Sequence, residues 1–216
     1  MATNMPPQSQ VLAGINVLIP RIRSQTGEMA KYIEAHGGNP LEMPVIEIKP
    51  PSSFEKQALI KAALLSLAEY DWFIFTSVNG VEHFFKQLER LDLMLTNVKA
   101  TAQVAAVGTA TAEALRSYGW STDIIPAKFQ AEDLFEAVSP YVKANDRILI
   151  PRSAMGRSYL LEHLQALGAQ VTLADLYETV RCDDHAEELF KRFREQTIQA
   201  ITFTSPSTVI HLLSLI

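Results

Sequence analysis

The peptide VLIPR at residues 17–21 returns as ILIPR at residues 148–152, and this repetition predicts the architecture of the chain. In each copy an amphipathic segment follows and ends at glycine, in YIEAHGG at 32–38 and in HLQALGA at 163–169. Glycine adopts the left-handed backbone that commonly ends a helix, so each copy predicts a strand, a helix and then another strand. Internal similarity of this kind predicts two similar structural units.

A second repeated pair contains the tripeptide FTS. DWFIFTSVNGV occupies residues 71–81, and QAITFTSPSTV occupies residues 199–209. Each FTS ends a short β-branched and aromatic run and precedes a helical pattern, which is typical of a strand-to-helix turn with serine or threonine as the helix N-cap. The unpaired N–H groups and the dipole of a helix start favour anions, so both turns are candidate anion-binding sites.

The segment between the repeats also alternates between strand and helix patterns. VAAVGTATAEALRSYG at 104–119 predicts a strand, a tight turn at Gly108, a helix from about Thr109 and a glycine end. A strand near 123–126 and a helix from about Ala131 follow. Strands that alternate with helices imply parallel sheets, because parallel neighbours need long crossovers. The predicted fold class is therefore α/β, with two similar parallel-sheet α/β domains.

The domain boundaries follow from two extended segments, MPVIEIK and ADLYETVR, that occupy equivalent places in the two copies. We expect them to run side by side, one carrying the chain out of the first domain and the other bringing it back. The predicted division is a flexible N-terminus at 1–13, a discontinuous domain 1 at 14–42 plus 182–216, linker strands at 43–49 and 174–181, and a continuous domain 2 at 50–173.

A complete repeat would also contain a second VGTAT unit after the last residue, Ile216. The helical pattern at 208–216 has no cap and no polar tail. We therefore expect that the native chain continues for several more elements and that domain 1 is truncated at its carboxyl end. A stop codon directly after Ile216 would refute this expectation.

The composition is that of a protein that folds around an apolar core, with 48% hydrophobic and 20% charged residues. No apolar run approaches the roughly 18 residues of a membrane span, and residues 1–14 lack the pattern of a signal peptide. Cys182 is the single cysteine, so no internal disulfide forms and a reducing compartment is expected. The net charge of −5 argues against a nucleic-acid partner. The sequence thus predicts a cytoplasmic protein that does not bind membranes.

Two arginines stand at equivalent positions of the repeat. Arg21 and Arg152 each end an LIPR motif and follow a predicted strand, so both can supply forked donors to an anionic ligand. The alternative is that each is an ordinary surface arginine with a solvated head. We expect substitution by alanine to weaken binding of that ligand if the first interpretation is right.

No sequence pattern indicates a metal or a nucleotide. The five histidines are scattered, and the DDH run at 183–185 opens a predicted helix, where acidic residues suit the helix dipole. Neither a GxGxxG nor a GxxxxGK[ST] motif stands at a strand-to-helix turn. From these patterns we expect neither a metal site nor a nucleotide-binding site.

Six motifs in register resemble the uroporphyrinogen-III synthase family: LIPR near the start, YDWFIFTSVNGV, VAAVGTATAEAL, ILIPR, the connector LYETV and ITFTSPSTV. The resemblance covers residues 14–216. It implies two α/β domains joined by a two-stranded β-ladder, with the substrate in the cleft between them. It also implies that hydroxymethylbilane loses water and closes to uroporphyrinogen III with inversion of the last pyrrole, ring D, without a metal or organic cofactor.

The resemblance assigns a role to one tyrosine. Tyr177 matches the connector tyrosine of the family, the candidate for protonating the departing hydroxyl, and a phenol with pKa ~10 holds its proton at neutral pH. The alternative is a tyrosine that only packs in a strand. Thr111 matches a Gly-x-x-Thr pattern that places a threonine near the cleft, whereas Thr109 is expected to be the helix cap. The predicted substrate-binding residues are Arg21, Ser77, Asn79, Thr109, Thr111, Arg152 and Ser205.

Two other functions stay open on the sequence. A hinged two-domain module would bind a small anion in the same cleft without chemistry, and fold alone does not exclude it. A non-catalytic or regulatory homologue is the other alternative. The expected state is a monomer, with at most transient contact with the preceding pathway enzyme.

Overall fold

The computed structural model describes residues 10–22, 26–93, 101–156 and 158–216. The strands are β1 (Asn16–Ile19), β2 (Asn39–Glu42), β3 (Ile46–Lys49), β4 (Trp72–Phe75), β5 (Gln103–Ala106), β6 (Arg147–Ser153), β7 (Gln170–Arg181) and β8 (Ala200–Ile201). The helices are α1 (Gly27–Ala35), α2 (Phe54–Leu65), α3 (Val78–Arg90), α4 (Thr109–Ser117), α5 (Ala131–Val138), α6 (Tyr159–Ala166), α7 (Ala186–Arg194) and α8 (Pro206–Leu213). A single turn of 3-10 helix occupies Leu67–Glu69.

The strands form two sheets, ordered β2-β1-β8 and β3-β7-β6-β4-β5. Strand β1 pairs in parallel with β2 and β8, and parallel pairing also joins β5 to β4, β4 to β6 and β6 to β7. Helices provide the crossovers that parallel strands require. The predicted α/β class with parallel sheets is therefore confirmed.

The chain divides into two compact units, Met1–Ile48 with Thr179–Ile216 and Lys49–Glu178. The repeated motifs occupy the same places in each sheet. In the first unit β1, which contains the first three residues of VLIPR, lies beside β8, which precedes its FTS. In the second unit β6, which contains ILIPR, lies beside β4. The assignment of 43–49 and 174–181 as linkers between domains stays a prediction.

The core of the first unit lies on both faces of β1. Leu18 packs in a buried cluster with Val45 and Leu189, whereas its neighbours Val17 and Ile19 belong to a second cluster with residues of α1. Successive side chains of a strand point to opposite faces, so this alternation covers both faces of the sheet.

The core of the second unit is built on β4, whose four residues WFIF are all buried. Trp72 and Ile74 pack in a cluster with residues of α5, α6 and β6. Phe73 and Phe75 face the other side, where both contact Phe84 of α3 edge to face, with ring centroids 6.2 and 5.4 Å apart. A continuous apolar run is typical of a parallel strand buried on both faces, and here it attaches α3 to the sheet.

Helix ends follow the predicted glycine pattern. Gly37, Gly119 and Gly168 each have a φ of 82 to 86°, the left-handed region that ends α1, α4 and α6.

Near 123–126 the predicted strand is reduced to one parallel bridge between Ile124 and Ala105. The predicted flexible N-terminus falls mostly on residues outside the described part of the chain.

Candidate functional site

The turn between β4 and α3 is organised by Ser77. Its backbone is extended, and its Oγ accepts a hydrogen bond of 3.0 Å from the N–H of Gly80. The predicted N-cap is therefore confirmed. In the first unit Ser205 caps α8 in the same way, since its Oγ accepts from the N–H of Thr208 at 3.4 Å.

Gly80 allows α3 to approach β6 closely. A Cβ atom at this position would lie 2.8 Å from the carbonyl oxygen of Pro151, which is shorter than real side chains tolerate. The glycine of the SVNG segment is thus required by the contact between the first turn of α3 and the backbone of β6, which the sequence alone did not indicate.

Ser77 also contacts the predicted catalytic tyrosine. The hydroxyl of Tyr177, on β7, lies 3.3 Å from Ser77 Oγ, although the two residues are 100 positions apart in the sequence. The Tyr177 side chain is buried, and this burial raises the pKa of its phenol above the ordinary value of 10.0, against a smaller opposing effect of the Ser77 hydrogen bond. The phenol is therefore protonated at neutral pH.

A histidine that sequence reasoning missed lies against the same phenol. The ring of His83, on α3, stacks on the ring of Tyr177 with centroids 4.8 Å apart and planes at 27°. Burial lowers the pKa of the imidazole, Lys86 lowers it further, and Glu82 acts in the opposite direction. The position of His83 on α3 follows from the helical pattern, but nothing local relates it to residue 177.

Arg152 is held by an acidic neighbour. Its Nε donates to Asp175 Oδ1 at 2.9 Å, and 13% of the arginine side chain is exposed. Asp175 stands two residues before Tyr177 on β7, and sequence reasoning missed it as well. The ion pair with this partly buried carboxylate holds the guanidinium through its Nε near the end of β6.

A cavity of about 550 Å³ in the second unit includes Arg152. It lies at the carboxyl ends of strands, where open α/β sheets bind ligands, because Thr76 and Val107 directly follow β4 and β5. The rest of the lining is apolar except at the start of α5, where Gln130 and Glu132 contribute. The lining residues are Thr76, Val107, Phe129, Gln130, Ala131, Glu132, Ile150, Arg152, Gly156, Leu160, Leu161 and Leu173.

The remaining predicted residues of the second unit stand at two helix starts. Thr111 is 4% exposed in the first turn of α4, and Asn79 is partly buried in the first turn of α3. The expectation that Thr109 caps α4 is wrong: the N-cap is Gly108, without a side-chain hydrogen bond, and Thr109 is exposed. A Cβ atom at position 108 would lie 2.7 Å from the ring of Phe129, which is an exposed side chain.

The structure thus brings Ser77 and Tyr177 into contact, whereas Arg152 lies in the cavity, which neither Thr111 nor Tyr177 lines. Arg21 and Ser205 belong to the first unit. Within the described ranges, no three histidine, cysteine, aspartate or glutamate side chains are grouped as a metal would require. Within those ranges, too, no helix has the length and apolarity needed to span a membrane.

These features define a parallel α/β protein in which polar side chains follow strand ends and a buried phenol contacts a helix cap. Comparison with known sequences gives the family. The family model described as uroporphyrinogen-III synthase HemD matches residues 27–216. The chain therefore belongs to the uroporphyrinogen-III synthase family, as its motifs predicted.

Individual relatives agree with this assignment. The chain is 34% identical over 202 residues to the uroporphyrinogen-III synthase of Synechococcus elongatus. This alignment covers 93% of this chain and 74% of that protein. It is 29% identical to the porphyrin biosynthesis protein HemD of Ruminiclostridium josui, over 92% of this chain and 38% of that protein.

Solved structures of two bacterial enzymes have the same fold. A mutant uroporphyrinogen III synthase of Thermus thermophilus gives a TM-score of 0.65 at 19% identity, over 93% of this chain and 76% of that one. The uroporphyrinogen-III synthetase of Helicobacter pylori gives 0.53 at 16% identity, over 94% and 78%. At these identities the similarity supports the fold alone.

Proposed function

We propose that this chain converts hydroxymethylbilane into uroporphyrinogen III, with loss of water and inversion of ring D. The observation that carries the proposal is the contact between the buried, protonated Tyr177 phenol and Ser77 at the start of α3. In a member of this family, a phenol held in place can act as the proton donor for the departing hydroxyl.

The hydrogen bonds around Ser77 give the phenol a direction. Ser77 Oγ accepts from the N–H of Gly80 and lies 3.3 Å from the Tyr177 oxygen, to which the serine hydroxyl can donate its own proton. In that arrangement the phenol proton of Tyr177 is free for another acceptor, the terminal hydroxyl of the substrate.

The reaction then balances without an external reagent. As the carbon–oxygen bond breaks, its electron pair stays on oxygen, the phenol supplies a proton, and water leaves. The pyrrole that carried the departing hydroxyl, at the other end of the chain from ring D, becomes a protonated azafulvene. The substituted α-carbon of ring D attacks this azafulvene to form a spiro intermediate. The original bond between this α-carbon and the methylene bridge to the rest of the chain then breaks, and the released methylene bonds to the free α-carbon of ring D, which inverts the ring. The α-proton lost at this closure returns to the Tyr177 phenolate, so the net change is the loss of one water.

The substrate carries eight carboxylates, and binding them in a folded arrangement is the second task of the enzyme. The helix starts at Ser77, Thr109 and Ser205 present backbone N–H groups that suit carboxylates. The guanidiniums of Arg21 and Arg152 add forked donors. The proposed substrate-binding residues are those of the sequence prediction: Arg21, Ser77, Asn79, Thr109, Thr111, Arg152 and Ser205.

The experiment that tests the function is incubation of the purified chain with hydroxymethylbilane, followed by chromatography of the oxidised porphyrin isomers. The proposed activity yields the type III isomer. The substrate also cyclises by itself, without inversion, so formation of only the type I isomer, as with heat-denatured protein, would favour the anion-binding module or a non-catalytic homologue.

The Arg152→Ala variant is expected to raise KM about tenfold with little change in kcat, because a charge-assisted hydrogen bond to a substrate carboxylate is lost. The Arg21→Ala variant is expected to behave in the same way. Steady-state kinetics measure both, with Arg116→Ala, an exposed arginine of α4, as the matched control. An unchanged KM would make either residue an ordinary surface arginine.

The Ser77→Ala variant is expected to lose about 1 kcal/mol of unfolding free energy, because α3 loses its cap. It is also expected to have a lower kcat, because Tyr177 loses its hydrogen-bond partner. Ser53→Ala is the matched control, because Ser53 caps α2 by accepting from the N–H of Lys56 and contacts no tyrosine. Equal kcat values in the two variants would separate Ser77 from catalysis.

The enzyme of this proposal works in the cytoplasm as a monomer, with neither metal nor organic cofactor, and contacts the preceding pathway enzyme at most transiently. Sedimentation of the active protein and an assay after exhaustive chelation test these points. A dimer, or activity lost on chelation and restored by a metal, would contradict them.

A further inference from the structure

His83 occupies a place that the proposed reaction has not yet used. Its imidazole, on the second turn of α3, stacks on the face of the Tyr177 phenol with ring centroids 4.8 Å apart and planes at 27°. A stacked pair at this distance is an attractive contact beyond its buried area. The same helix therefore contacts Tyr177 twice, through His83 at the ring and through Ser77 at the hydroxyl.

These two contacts restrict different motions of the phenol. The hydrogen bond to Ser77 restrains the oxygen atom, but a ring held only at its oxygen can still swing about the bonds of its side chain. The His83 ring covers the face of the phenol and opposes that swing, because tilting the tyrosine would separate the stacked surfaces.

We infer that His83 is a positioning residue for Tyr177, whose imidazole packs against the phenol and, with Ser77, fixes the direction in which the phenol donates its proton. The inference rests on the proposed function, in which Tyr177 is the proton donor. It adds a residue that acts through Tyr177 and does not itself touch the substrate.

The charge of the imidazole agrees with this role. Burial and Lys86 lower the pKa of His83, and Glu82 raises it by a smaller effect, so the ring is neutral at pH 7. The electrostatic groups that act on it stand on α3, and the group that contacts it from β7 is the uncharged phenol. A neutral ring places no positive charge beside Tyr177, so the pKa of the phenol stays raised by burial and the phenol keeps its proton at neutral pH.

The test compares His83→Ala with His83→Phe, since phenylalanine keeps a flat ring and alanine removes it. We expect alanine to lower kcat about tenfold with KM nearly unchanged and to raise the share of the type I isomer. Phenylalanine should restore most of the wild-type kcat. Adding His83→Ala to Tyr177→Phe should cause no further loss, because the histidine acts only through the phenol. Glu89→Ala, an exposed change on α3, is the control for the helix.

A second measurement does not depend on turnover. In protein with isotope-labelled tyrosine, the Tyr177 ring signals, assigned by their loss in Tyr177→Phe, should report slow ring flipping in wild type and in His83→Phe but fast flipping in His83→Ala. Equal flipping rates in wild type and His83→Ala would overturn the inference. The inference would also be overturned if His83→Ala left kcat unchanged, or if His83→Ala and His83→Phe lowered kcat equally.

Failure of the proposed function has a different signature. If wild-type protein forms no type III isomer, or if Tyr177→Phe is fully active, the assigned role of Tyr177 is lost. The His83 contact is then decided by the flipping rates alone, and a rate that rises only in His83→Ala still supports it.

Discussion

The Tyr177→Phe variant is expected to form uroporphyrinogen III with a kcat roughly 10²-fold below that of the wild type. This is the lower end of the range for general acid catalysis, because the substrate also loses its hydroxyl without help. The variant keeps the buried ring and its stack on His83, so the loss isolates the phenol proton. Stopped assays with separation of the isomers measure both the rate and the type III fraction. Full activity in the variant would remove Tyr177 from the mechanism.

The pH dependence of the wild type gives an independent check. Since burial raises the pKa of Tyr177, the phenol stays protonated up to and beyond the ordinary value of 10.0. A rate that depends on this proton is fully present below that value and is lost only as the pH rises through the raised pKa. An alkaline decline of kcat centred near neutral pH would point to another donor.

Phe84→Ala is expected to cost about 3–5 kcal/mol of unfolding free energy, the largest stability effect predicted here. Phe84 is 0% exposed and contacts the rings of Phe73, Phe75 and Trp120. Its loss leaves a cavity between α3 and the sheet, and α3 carries both contacts to Tyr177. We therefore expect kcat to fall with stability.

Chemical denaturation followed by tryptophan fluorescence measures this change, because Trp72 and Trp120 both lie in the second unit. The control is Phe54→Ala, since Phe54 is 86% exposed and its removal should change stability by no more than about 0.5 kcal/mol. If Phe84→Ala and Phe54→Ala lost equal unfolding free energy, the packing of α3 described above would be contradicted.

The features that sequence reasoning predicted are local or repeated. Ser77 was predicted as a cap from the FTS turn, and the glycine ends were predicted at the close of amphipathic segments; both are confirmed. Capping involves atoms within a few residues of one another, so the pattern that encodes it is visible in a short window. The error at Thr109 is one of position along the chain, because the extended residue before α4 is Gly108 and Thr109 is already the first residue of the helix.

The residues that were missed have distant partners. Asp175 was not recognised because the guanidinium that it holds lies on another strand, and His83 was not recognised because its partner is a tyrosine of β7. Gly80 lies just after the predicted FTS turn, and the carbonyl oxygen that requires a glycine there belongs to β6. In each case the partner is set by the order of strands in the sheet, which no short segment specifies.

The sequence by itself determined the α/β class, the repeated strand-to-helix turns and the family, because periodic burial, caps and motif order are properties of neighbouring residues or of their copies. Only the tertiary structure decided that Ser77 and His83 both meet Tyr177, although both are distant from it in the sequence, and that Arg152 lies in a cavity beside Asp175. The physical reason is that packing α3 against β6 brings Ser77 and His83 to Tyr177, and the pairing of β6 with β7 brings Arg152 to Asp175. Both arrangements depend on the whole apolar core of the unit.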